Sequence, residues 1–361
     1  MKKNATAIFL FLIVCTVSVG LLLFPKEISH AVHESLSTCV NTLLPTLFPF
    51  LVLSGFLLKS KIISPLEQLL EPLMRPLFHL SGVCASPLLI GLIGGYPTGA
   101  RSAVALYRDG LCSRREAEQL LAFCNNCGPG FILGSIGCCV FYNISCGILL
   151  FLAHSMSAVL IGLLLTATLP VPAEQDAYTR KEVTFSLPTA FVASVTEAMH
   201  AFIDLSAFVL CFSALTQLLQ LSGLLHCLSS FLPFSEGNNA FFLLGLFEMT
   251  AGVLHLSIGS TMERAVLASA LVGWGGFSVH CQVLSLIQGT DLSPKLYFKG
   301  KFLHGLLAAI LTALFFQNEK AVYAVIACIF LILFTLFHFR KKEWKKSGEG
   351  IIMIKKKLLR S

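Results

Sequence analysis

The chain has 361 residues, of which 55% are hydrophobic and only 12% charged, with a mean hydropathy of +0.80. That charged share is about half that of a soluble domain and excludes one. A bilayer core of ~30 Å is crossed by ~20 apolar helical residues that satisfy their own backbone hydrogen bonds, so the chain reads as all-α, a polytopic membrane protein. The net charge of +7 sits wholly in the tail from Arg340 onward, where only Glu343 and Glu349 oppose nine basic residues. With Lys2 and Lys3, the tail predicts cytoplasmic termini and an even number of crossings. It also favours anionic lipid. A nucleic-acid partner is not expected, because Trp344 is the tail's only aromatic and no binding fold surrounds it.

Residues 5–24 follow the two lysines as an apolar run. It is long for a signal-peptide core and lacks a small-x-small cleavage site before Pro25 and Lys26, so 1–29 reads as an N-terminal membrane helix. The polar stretch 30–41 is expected at the interface. Its His33-Glu34 lacks the second histidine of a zinc-protease helix. Residues 43–58 are apolar and interrupted by Pro45 and Pro49, so they could cross or re-enter. Residues 62–81 form an amphipathic surface segment, with Glu67, Glu71 and Arg75 on its polar side. Its prolines 65, 72 and 76 argue against one straight helix.

Residues 83–107 are apolar but broken at Gly94-Gly95-Tyr96-Pro97-Thr98-Gly99. A charged link to Glu118 follows, and a second break at Asn125-Asn126-Cys127-Gly128-Pro129-Gly130. Apolar passes at 131–143 and 145–169 lead to a polar linker, 170–188. The second half carries an apolar stretch, 190–221, with Glu197, His200 and Asp204 on one helix face. A short interfacial piece, 224–234, precedes 239–259 around Glu248. Residues 265–288 are broken at 273–278, and passes at 302–316 and 321–339 run into the basic tail, 340–361. Roughly eight to ten passes are expected.

The same order of features occurs in 30–169 and in 189–339, suggesting an internal repeat. Paired Gly/Pro-interrupted apolar segments at matching places point to a transporter site built from discontinuous helices. Backbone groups freed by such breaks are costly in lipid unless protein, water or ligand meets them. The candidate binding residues lie at these breaks: Tyr96, Thr98 and Arg101; Asn125 and Asn126; Thr250; and Ser278, with His280 and Gln282 nearby. Arg101 is a cation inside an apolar run, which marks a cavity or partner unless it snorkels. Glu248 sits midway in its segment, placed to take a coupling proton or to pair with Arg101.

Most of the 13 cysteines read as packing residues. Cys124 and Cys127 have redox-pair spacing, but zinc would need two further ligands. No phosphate-binding loop or nucleophile elbow occurs, so neither cofactor, metal nor enzymatic activity is expected.

Gly-Gly-Tyr-Pro-Thr-Gly-Ala-Arg at 94–101, the link with Arg114, Glu116 and Ala117, and Phe-Cys-Asn-Asn-Cys-Gly-Pro-Gly-Phe-Ile-Leu-Gly-Ser-Ile-Gly at 123–137 together resemble the sporulation integral membrane protein YlbJ family, also called SpoVV. The resemblance runs from about residue 30 to 340 along nearly the whole chain. That family carries the nucleoside recognition or Gate domain, which also occurs in ferrous iron transport protein B and resembles halves of concentrative nucleoside transporters. The sequence departs from the family at Cys127, where serine is common; the exchange favours a packing thiol.

The resemblance implies two Gate-like repeats with re-entrant hairpins. It further implies transport of dipicolinic acid, a small organic anion, into the forespore across the outer forespore membrane. Arg101, Asn125 and Asn126 would then meet the carboxylates. Alternatives are another organic anion or nucleoside, a non-transporting spore-envelope scaffold, and a thiol oxidoreductase using Cys124 and Cys127. A homo-oligomer is compatible with all of these.

Overall fold

A computed structural model describes residues 2–60, 62–167, 186–235, 237–318 and 327. The pass at 321–339, the basic tail and nearly all of the linker lie outside these residues, apart from residue 327 of that pass. The described residues contain helices and no strand. Six helical stretches are long and apolar enough to cross a bilayer: Thr6–Leu23, Pro25–Lys59, Ile144–Thr166, Leu187–Leu221, Thr261–Ile287 and Lys295–Gln317. A seventh would count the pair Ser64–Phe78 and Gly82–Gly94 as one span bent by 95°.

Helix α1 (Lys2–Leu23) is apolar on all sides and leaves Ile8, Phe9 and Phe11 exposed, as a lipid-facing helix must. It rests on the partner helix α9 (Leu187–Leu221) where Gly20 meets Leu218. Helices α2 (Pro25–Thr38) and α3 (Leu44–Lys59) are joined by a π-helical turn, Cys39–Leu43, into one rod against α9. The polar stretch 30–41 is therefore the first part of a long span and not a separate surface piece. Its Ser35 hydroxyl bonds that of Ser213 at 2.8 Å, which satisfies both inside the bundle.

Helix α4 (Ser64–Phe78) is a single helix despite Pro72 and Pro76, and it ends where His79 adopts a left-handed conformation. The expectation that the prolines interrupt it fails. Pro65 lies in the first turn, where no donor is missed.

Helices α5 (Ala85–Gly94) and α6 (Thr98–Arg108) fold back on each other as a hairpin. A Cβ added at Gly91 would stand 3.1 Å from the Gly99 Cα and 1.8 Å from the Cys124 carbonyl oxygen, so the end of α7 (Arg114–Cys124) sits in the notch between these glycines. A π-helical segment, Gly130–Val140, and α8 (Ile144–Ala167) complete the first half.

The second half repeats this order: α9, the short α10 (Leu224–Ser229), a hairpin of α11 (Asn238–Phe247) and α12 (Met249–Leu254), then α13 (Thr261–Trp274), α14 (Gly276–Ile287) and α15 (Lys295–Gln317). The second hairpin also closes on glycines; a Cβ at Gly252 would lie 2.3 Å from the Gly245 Cα. Small residues let membrane helices approach this closely. Six or seven such stretches thus stand among the described residues, beside the roughly eight to ten passes expected for the whole chain.

The caps repeat as well. Ser113 caps α7 by accepting from the Glu116 N–H at 3.2 Å, and Glu116 in turn takes the Ser81 N–H at 2.8 Å, just before the first hairpin. Ser260 caps α13 by accepting from the Glu263 N–H at 3.1 Å, and Glu263 takes the Ser235 N–H at 2.7 Å, just before the second. Each capping serine and glutamate satisfies the free N–H groups of a helix start and ties it to the hairpin beside it.

Candidate functional site

The four breaks meet in the middle of the molecule. A Cβ at Gly95 would stand 2.8 Å from the Gly128 N, one at Gly276 3.0 Å from the Met249 N, and one at Gly275 3.6 Å from the Tyr96 ring. Between them lies a cavity of ≈ 30 Å³ lined by Tyr96, Gly128, Glu248, Thr250, Ser278 and Gln282, with Leu43, Leu47, Phe131, Leu205 and Val209 forming its apolar wall. That volume holds a water or two.

Glu248 is buried and caps α12. Its carboxylate accepts the Thr250 N–H at 3.1 Å and the Ala251 N–H at 2.6 Å. Two backbone donors at a helix start offset part of the cost of burying this group. Gln282 is also buried, and its Oε1 has no partner among the described residues.

Behind Tyr96 lies a cation that the segment boundaries concealed. Lys301 is fully buried on α15. Its Nζ donates to Tyr96 Oη at 3.0 Å and to the Asn125 carbonyl at 3.1 Å. Tyr96 donates its own O–H to the Val272 carbonyl, so toward Lys301 it acts as an acceptor. The ammonium stands 4.8 Å from the centre of the Tyr96 ring. Asn126 donates to the Phe123 carbonyl at 2.9 Å, while its Oδ1 finds no partner among the described residues.

A buried histidine pair adjoins this group. His154 on α8 accepts the Cys127 N–H at 3.0 Å through Nε2, and His304 on α15 donates to the His154 carbonyl at 3.0 Å. The two rings lie 4.4 Å apart, and each Nδ1 lacks a partner among the described residues. On the far side of Lys301, His280 bonds the Tyr297 hydroxyl at 2.8 Å.

Of the residues singled out in sequence, Tyr96, Glu248, Thr250 and Ser278 share the cavity wall. Asn125 and Asn126 lie within the protein behind it. Thr98 turns away and bonds the Gly95 carbonyl at 2.6 Å, closing its own hairpin. Arg101 reaches Asp204 on α9 at 3.4 Å and is partly exposed. Its pairing with Glu248 is not formed, because α6 directs Arg101 toward α9 while Glu248 is held by its own helix start. Glu197, on the same face of α9, pairs with Lys59 at 2.7 Å, so that face binds its neighbours. Cys124 and Cys127 are free thiols, and no three metal-ligating side chains cluster among the described residues.

Lys301, His154 and His304 were missed. Lys301 directly precedes the apolar run 302–316 and so lies outside its bounds. A signal was present: Tyr297, Lys301 and His304 follow i, i+4, i+7 spacing, which puts them on one face with Ala308 and Phe315.

Among the described residues, six apolar spans, two glycine-closed hairpins and a central meeting of helix breaks define a polytopic all-α membrane protein. Residues 40–173 match the Gate family, described as nucleoside recognition. The chain is also 30% identical over 345 residues to sporulation integral membrane protein YlbJ of Bacillus subtilis (strain 168), across 86% of this chain and 81% of that protein. It belongs to the YlbJ family of sporulation integral membrane proteins. No solved structure matches it.

Proposed function

We propose that this protein carries a small organic anion across the membrane, with dipicolinic acid moved into the forespore as the substrate. Its place would be the outer forespore membrane, with both termini cytoplasmic. The observation that carries the reading is Lys301, a fully buried lysine beside the meeting of four helix breaks, with two neutral partners and no carboxylate paired to it among the described residues. Charged side chains at membrane depth mark substrate paths, and an unmatched cation suits an anionic solute. Tyr96, Thr250, Ser278, Asn125 and Asn126 would supply hydrogen bonds. Glu248 would accompany the solute as a coupling group, its charge tempered by the α12 start.

A cavity of ≈ 30 Å³ admits no aromatic dicarboxylate. Transport therefore requires the two hairpins to part toward one side and then the other, the alternating access that repeated broken helices allow. The reading involves no catalytic step.

The test is uptake of labelled dipicolinate by proteoliposomes holding the purified protein, beside protein with Thr250→Val and Ser278→Ala together. Saturable uptake, weakened at least tenfold by the double change, supports the reading. Uptake of a nucleoside in place of dipicolinate moves the substrate to the class in the Gate family's description. Uptake of neither would favour a scaffold.

A further inference from the structure

We propose that the central cavity is a binding site for a sodium ion, held by Glu248, Thr250, Ser278 and Gln282 and carried together with the anion. The site stands on its own geometry, whereas the joint carriage rests on the anion-carrier reading and gives Glu248 its coupling ion. The cavity has a surplus of acceptors. Glu248 and Gln282 are 2% and 5% exposed, and both line it. The Gln282 Oε1 has no partner among the described residues. The Glu248 carboxylate meets two N–H groups and forms no ion pair among those residues. A carboxylate has about four lone-pair sites, so the two N–H groups leave each oxygen able to hold a cation as well. A buried carboxylate and a buried amide oxygen left open are costly, and one small cation satisfies both.

The fold brings these oxygens to one place. Ser278 and Gln282 stand four residues apart on α14 and so share a face. The break before α14 packs on the second hairpin: a Cβ at Gly276 would stand 3.0 Å from the N of Met249, the residue after Glu248. The remaining side chains of the wall are apolar except Cys127 and Tyr96, whose hydroxyl is taken by Val272 and Lys301. Carboxylate, amide and hydroxyl oxygens suit a hard cation. The cavity of ≈ 30 Å³ holds one ion of water size. A single carboxylate matches a single charge. Calcium gathers about six to eight oxygens, and magnesium keeps several waters for which there is no room. The basic groups nearby are engaged elsewhere: Arg101 with Asp204, Arg264 with the Leu256 and Val140 carbonyls, and His255 with the Ala251 carbonyl. Lys301 lies behind Tyr96, so cation and anion are held by different groups.

The first readout needs no transport. The full chain in detergent is melted in sodium chloride and in choline chloride of equal ionic strength. With sodium at about a hundred times its Kd, the midpoint rises by about 5 °C over choline. Glu248→Gln loses the rise, and Gln282→Leu needs about tenfold more sodium to reach it. Equal midpoints in the two salts for wild type, or a full rise in Glu248→Gln, overturn the site. Should neither variant fold, protein with Cys127 as its only cysteine locates the ion. Sodium slows maleimide labelling of that cavity-wall thiol several-fold, and a rate equal in both salts overturns the location. The joint carriage is read in proteoliposomes with the membrane potential clamped at zero. There an inward sodium gradient of about tenfold accumulates labelled dipicolinate about tenfold for one ion per anion. Accumulation driven by an acid exterior without sodium makes the coupling ion a proton and overturns the sodium coupling, with the carrier reading left standing. A sodium-dependent midpoint without any dipicolinate uptake overturns the carrier reading, while the ion site stands.

Discussion

At the scale of single residues, the site combines groups that are costly to bury with partners that reduce the cost. Cys127 lies on the cavity wall, yet its contact with His154 runs through the backbone N–H and not through sulfur. Cys127→Ser keeps that bond and the volume, so dipicolinate uptake is expected within twofold of wild type. A loss beyond tenfold would instead support thiol chemistry. Gly99 marks the opposite case. A Cβ there would lie 2.0 Å from the Cys124 carbonyl oxygen, which backbone cannot accommodate without shifting. Gly99→Ala is expected to destabilise the protein by about 3 kcal/mol, read as a lowered melting midpoint in detergent. The Gly94–Arg101 motif was legible because glycine, proline and an internal arginine coincide. Which side chains turn inward was not, since that depends on the hairpin's orientation.

At the scale of elements, the two halves are clamped at the link between α14 and α15. Asp291 accepts the Tyr107 hydroxyl proton and lies 3.4 Å from Arg114, while Arg108 donates to the Leu286 and Gln288 carbonyls. The Tyr107 hydrogen bond, helped by Arg114, holds the Asp291 carboxyl below its ordinary value of 3.8. A carboxyl depressed in the folded state stabilises it above the ordinary value, and that contribution is lost as pH falls through the folded value. Hydrogen exchange in the 288–294 loop is thus expected to rise below about pH 4. In Asp291→Asn it should be high already at neutral pH and show no such acid step; an unchanged step would remove Asp291 from the clamp. The paired caps give a second expectation. Glu116→Ala and Glu263→Ala each leave backbone donors unmet, and each should cost about 1–3 kcal/mol. Comparable drops in thermal midpoint would match their equivalent places, whereas a harmless Glu263→Ala would not. The Ser-x-x-Glu spacing at 113–116 and 260–263 stood in the sequence, but its reach to Ser81 and Ser235 depends on tertiary packing.

At the scale of the whole molecule, the breaks close on each other and leave room for water only. The proposed transport requires that closure to be reversible. With Cys127 retained as the only cysteine, maleimide labelling from water should be slow at rest and speed up several-fold during dipicolinate exchange. Labelling unaffected by substrate would argue against hairpin separation.

The sequence by itself determined the membrane setting, the helical class and the places where helices break, because hydropathy, glycine and proline act locally. It also carried the family, through the motifs at 94–101 and 123–137. Tertiary structure alone decided that Arg101 meets Asp204 and not Glu248, and that Lys301 is fully buried. Both outcomes depend on which helix faces pack together, a property of contacts between segments far apart in the chain.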